Sequence, residues 1–129
     1  MKEIDPGHFY HLHTLDGGVG ELLRFVKRVG PGYPGNTGSP HAGTTLQEVI
    51  RVLIKRTIYV QNQAHEMNDT DSVADNSYVI QRLRDALWAL EERAARRHGR
   101  VLPGRVINVE DMRYCLACGH VGCENRCGR

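Results

Sequence analysis

The spacing of hydrophobic and polar positions changes along the chain and divides it into a strand region and a helical region. Residues 9–15, FYHLHTL, and residues 21–29, ELLRFVKRV, read as extended segments around the turn signal Asp16-Gly17. The alternation in the second puts Leu23, Phe25 and Lys27 on one face and Leu22, Arg24, Val26 and Arg28 on the other. Together they predict a β-hairpin. Residues 1–8 are expected to be an unstructured lead. A lone hairpin is marginal in water, so it needs a surface to pack on.

From Thr45 the period becomes helical. Thr45-Leu46-Gln47-Glu48 matches a capping box, and Leu46, Val49, Ile50, Leu53, Ile54, Thr57 and Val60 recur at helical spacing. This predicts a first helix from Thr45 to near Gln63. Residues 64–75, AHEMNDTDSVAD, are polar and predict a connector. Asp75 or Asn76 then caps a second helix over 76–98, with the stripe Val79, Leu83, Ala86, Leu87, Leu90 and Ala94, and Gly99 as its stop. The two helices are expected to form an antiparallel hairpin. After it, RVINV at 105–109 reads as a short β-like segment. The expected fold is α+β: an N-terminal β-hairpin or small antiparallel sheet packed on a C-terminal αα-hairpin, with a small Cys-rich tail. The corresponding domains are 1–100 and 101–129.

Between strand and helix lies RVGPGYPGNTGSPHAGTT, rich in glycine and proline. Part of it, GSPHAGTT, fits the P-loop spacing except that Thr44 stands where the lysine belongs. The chain is also too short for the parallel sheet of a nucleotide hydrolase, so a P-loop enzyme is excluded. What remains is glycine backbone able to approach a ligand closely, leading into a helix N-terminus whose N–H groups suit an anion.

The 129 residues amount to one ordinary domain with a net charge of +2, which does not demand nucleic acid as a partner. The cations are 14 Arg and 3 Lys, and the Arg fork grips phosphate in two places. Arg93 and Arg97 extend the seam of the second helix. Lying four residues apart, they repel by roughly 0.2–0.5 kcal/mol unless an anion lies near. An antiparallel hairpin brings them to the start of the first helix, so Lys27, Arg28, Thr44, Thr45, Arg93 and Arg97 are expected to converge on a phosphate-bearing ligand. Phe25 and Tyr33 offer faces for a base, and Asn36 lies on the same loop.

His8, His11 and His13 come without a partnering nucleophile, carboxylate pair or metal motif, so no enzyme is expected. There is no apolar run long enough for a membrane helix, and MKEIDPGHFYHLH has no signal-peptide core, which predicts a cytosolic protein. All four cysteines fall in the last fifteen residues. Cys115-x2-Cys118-x4-Cys123-x3-Cys127 supplies four thiolates for tetrahedral zinc, with His120 as an alternative ligand. Such a site is expected to be structural and to fold with its metal.

The segments GTTLQEVIRVLIKRTIYVQNQ, DNSYVIQRLRDALWALEERAARRHGR and LLRFVKRVGPGYPGN resemble the helical-hairpin family of phage anti-defence sponges, over roughly residues 9–100. The resemblance implies a non-catalytic protein of the infected bacterial cytoplasm that counters CBASS or Thoeris immunity. It would sequester a cyclic oligonucleotide or a cyclic ADP-ribose isomer without cleaving it. It further implies a homo-oligomer, such as a hexamer. The positions that carry over are Arg93 and Arg97 and the aromatic-basic strand with its following loop. The competing class is a zinc-stapled helical hairpin that binds nucleic acid or a host protein. The modest net charge speaks against a duplex as the partner.

Overall fold

The computed structural model describes residues 1–27, 43–102, 104–115 and 120–122. They fall into two compact units, Met1–Leu46 and Gln47–Arg129.

The first unit is a three-stranded antiparallel sheet in the order β1 (Lys2–Asp5), β2 (Phe9–His11), β3 (Leu22–Arg24). The predicted lead is therefore a strand over part of its length. Asp5-Pro6-Gly7-His8 makes the fold-back. His8 N–H donates to the Asp5 carbonyl at 2.9 Å, and Gly7 has φ +81°. Proline at the second position and a left-handed glycine at the third are what a type II turn requires. β1 has no apolar alternation, so the periodicity gave no sign of it.

β2 and β3 pair Phe9 with Arg24, Tyr10 with Leu23 and His11 with Leu22. Both strands are shorter than the predicted 9–15 and 21–29. Leu12 N–H closes on the Glu21 carbonyl at 2.8 Å, and the chain between them is loop. The turn at Asp16-Gly17 is present: Gly17 has φ +73° and Asp16 accepts from Gly18 N–H at 2.9 Å. The predicted alternation holds in β3, where Leu23 is half-buried between exposed Leu22 and Arg24. Beyond β3, Phe25 and Thr44 form a parallel bridge through Thr44 N–H to the Arg24 carbonyl (2.8 Å) and Val26 N–H to the Thr44 carbonyl (3.0 Å).

The second unit holds α1 (Leu46–Glu66) from Gln47 on, and α2 (Thr70–Arg97). Gln61 reaches the Val73 carbonyl and Ser77, and Arg51 reaches Glu91, so the helices run antiparallel. The predicted twelve-residue connector shrinks to Met67-Asn68-Asp69. Asn68, at φ +56°, terminates α1 while Asn68 N–H bonds the His65 carbonyl and Asp69 N–H the Ala64 carbonyl. This is a Schellman motif with asparagine in the left-handed position. Asp69 then caps α2 by accepting from Ser72 N–H (3.1 Å) and Ser72 Oγ (2.6 Å). Gly99, at φ +64°, closes α2 in the same way, as its sequence position predicts: Arg100 N–H bonds the Ala95 carbonyl and Gly99 N–H the Arg96 carbonyl.

The core is Ile50, Ile54, Ile80, Leu87 and Val109, flanked by Ile58, Leu83, Trp88, Leu90 and Met112. The RVINV segment forms no strand among the described residues. It ends in a single 3-10 turn, Val109–Asp111, which buries Val109 completely against the helices. Buried α2 residues run Ile80, Leu87, Glu91, Ala94 and Ala95, so the face is rotated from the predicted stripe; Val79 and Ala86 are exposed.

Candidate functional site at the open end of the helical hairpin

An αα-hairpin has a closed end at its turn and an open end where one helix starts and the other stops. Here the open end belongs to the first turns of α1 and the last turns of α2, and polar residues occupy its interior. Gln47 and Arg51 are buried on α1, and Glu91 is fully buried on α2 between Leu87 and Ala94. Arg51 Nη2 donates to Glu91 Oε1 at 3.1 Å, and Arg51 Nη1 donates to Glu48 Oε2 at 3.2 Å. Val121 N–H donates to Glu91 Oε2 at 2.9 Å. The Gln47 amide donates to His120 Nδ1 at 3.1 Å, and that nitrogen lies 4.0 Å from Glu91 Oε2.

Burial pushes the Glu91 carboxyl above the ordinary carboxylate range, against the opposing pull of Val121 N–H and Arg51. Tyr114 lies over the Arg51 guanidinium at 4.1 Å, so the charge is covered by an aromatic face as well as paired. The following segment is also tied to the helices by Glu110, which accepts a forked bond from Arg84, and by Asp111, which pairs with Lys55 at 2.7 Å. The Glu110 carboxylate holds the Arg84 guanidinium above its usual range.

Around this buried cluster the surface is cationic. Arg93, Arg96 and Arg97 are exposed in the last turns of α2. Helix dipoles favour cations at that end, and a row of guanidinium forks can bind oxyanions. Arg93 has no ion pair among the described residues.

The predicted residues divide between the units. Phe25, Lys27, Thr44 and Thr45 lie in the first, and Arg93 and Arg97 in the second. Phe25 packs edge-to-face on Tyr10 at 6.1 Å, in line with a packing role, and Lys27 pairs with Asp5 at 2.6 Å. That bond holds the Asp5 carboxyl below its ordinary value. Thr45 immediately precedes α1, where the capping box predicts the start. Arg28, Tyr33 and Asn36 lie outside the described residues, as do Cys118, Cys123 and Cys127. Cys115 is half-buried, with its N–H on the His120 carbonyl at 3.0 Å beside a Tyr114–Val121 bridge. Among the described residues no group of three or more ligating side chains could hold a metal.

The Arg51–Glu91 pair was not among the predicted site residues. Its signal in the sequence is a charge within an apolar period: Arg51 between Ile50 and Ile54, and Glu91 between Leu87 and Ala94. Each marks a buried partner, but the spacing does not say which one.

Among the described residues no helix is long and apolar enough to cross a membrane. No family model matches the chain, and no curated protein or solved structure matches it either.

Proposed function

We propose that this chain is a non-catalytic phage anti-defence protein of the infected bacterial cytoplasm, a sponge that binds a cyclic nucleotide immune signal and withholds it from its effector. One observation carries the reading: Arg93, Arg96 and Arg97 stand exposed at the open end of the helical hairpin, while the nearby carboxylate of Glu91 is turned inward and already engaged. Arginine forks suit a ligand carrying two or three phosphates. The resemblance to the helical-hairpin sponges supports the same ligand class.

The reading includes assembly into a homo-oligomer. Val52 and Leu53 on α1 and Val79 on α2 are exposed apolar side chains that a second copy would cover. It also includes a structural zinc held by Cys115, Cys118, Cys123 and Cys127, supported by their spacing and by the bridge that brackets Cys115.

Calorimetry of the intact protein against cyclic di- and trinucleotides and cyclic ADP-ribose isomers tests this. Tight binding is expected, with the ligand recovered unchanged after heating. Arg93→Ala with Arg97→Ala should abolish binding and keep the helical circular dichroism. Absence of binding across the panel would sink the reading. The second reading, a zinc-stapled module for nucleic acid, draws on charge segregation. From Arg93 onward there are eight arginines and three acids, and two of those acids, Glu110 and Asp111, are paired to Arg84 and Lys55. Salt-sensitive retention of single-stranded RNA or DNA, without cyclic nucleotide binding, would select it.

A further inference from the structure

Glu91 is unusual for its place. Helical spacing calls for an apolar side chain there, and the two helices alone supply its carboxylate with one partner, Arg51. The second partner comes from beyond the helices, from Val121 N–H. Tyr114, bridged to Val121, covers the Arg51 guanidinium, and His120 takes the Gln47 amide. Arg51 is nine-tenths buried in this arrangement, and its Nε has no hydrogen-bond partner among the described residues.

The segment after α2 is therefore attached to the helices in two different ways. Around Val109 the attachment is apolar burial reinforced by the forked Arg84–Glu110 pair. Around Tyr114, His120 and Val121 it combines burial of the single Val121 side chain with polar contacts centred on Glu91 and Arg51. Apolar burial is non-directional and has no single partner to exchange, whereas hydrogen bonds to a charged pair can be exchanged for bonds to other polar groups. The donor left over on Arg51 means that the closed arrangement does not use up the guanidinium.

We propose that Glu91 is a docking receptor on α2, and that Tyr114, His120 and Val121 form a releasable latch closed over Arg51. Opening the latch leaves the Val109 anchor in place and exposes Arg51 at the same end of the hairpin as Arg93 and Arg97. The proposal goes beyond the sponge reading and needs no ligand assignment.

Hydrogen exchange and butanedione modification of the full chain, both read by mass spectrometry, test it. Glu91→Gln keeps the shape and one of the two acceptor oxygens but removes the charge. The Val121 amide should then exchange about tenfold faster and Arg51 should become reactive, while the amides of Ile54 and Leu87 keep their protection. Tyr114→Ala, which leaves Glu91 untouched, should also expose Arg51. If Glu91→Gln leaves Val121 protected, or if Val121 and Leu87 lose protection together, there is no separate latch and the proposal fails. Continued protection of Arg51 in Tyr114→Ala overturns it as well.

Discussion

The two units of this chain are stabilised by different means. None of the described residues of Met1–Leu46 is fully buried, whereas the helical unit encloses Ile54, Leu87, Glu91 and Val109. The sheet rests on ladder hydrogen bonds, the Pro6-Gly7 turn, an Arg24–Phe9 contact at 4.5 Å and the Tyr10–Phe25 pair. The helices rest on packed side chains and on polar residues sealed inside. A region whose described residues enclose no core depends on backbone geometry at a few positions, while a region with a core depends on volume and on paired buried groups.

The largest expected contrast is a core truncation. Leu87→Ala should destabilise by about 2–5 kcal/mol, whereas Leu23→Ala in the half-buried strand should lose about 1 kcal/mol or less, as read by urea unfolding. Equal losses would mean that the sheet carries a core of its own.

Backbone geometry should reverse the ranking. Gly43 has φ +149°, and a Cβ there would lie 2.7 Å from the Phe25 carbonyl carbon and Val26 nitrogen. Gly43→Ala should therefore break the Phe25–Thr44 bridge, at about 1–3 kcal/mol. Exchange of the Thr44 and Val26 amides should quicken, with the Leu87 amide unaffected. Gly99→Ala, with open space around its Cβ, meets only the left-handed backbone cost of about 1–2 kcal/mol.

The smallest effect concerns Asp69, the cap of α2. Its bonds from Ser72 lower its carboxyl below the ordinary value. A depressed carboxylate contributes stability that is present above its unfolded value and lost as pH falls through its folded one. Asp69→Ala should therefore lower the melting temperature near neutral pH. The difference from the parent protein should close on acidification below about pH 4, the ordinary carboxylate range. A gap that persists in acid would assign the loss to something other than the charged cap.

Most of the helical unit was legible. The capping-box sequence before Leu46, the 3.6-residue recurrence and Gly99 are local signals: α1 starts at Leu46, and Gly99 closes α2 through the Arg100 and Gly99 amides. The polar residues of 64–75 suggest a loop, but the exposed outer turns of both helices tolerate them. The decisive residues were Asn68 and Asp69, which stop one helix and start the next within three positions. β1 escaped because its only signal is Pro6-Gly7, a turn rather than a period. The candidate site was legible as arginines on a helix end, but its interior was not. Glu91 and Arg51 are forty residues apart in sequence, and pairing at that distance leaves no periodic trace.

The sequence by itself determined where the first helix begins and the second ends, which strand face is covered and where cationic forks gather, because each depends on neighbours within a few residues. Only the tertiary structure decided that Val109, rather than a further strand, completes the core. It also decided that Glu91 faces inward to join Arg51 with the Val121 backbone. Both follow from long-range burial, where a buried charge must find its partners wherever the folded chain supplies them.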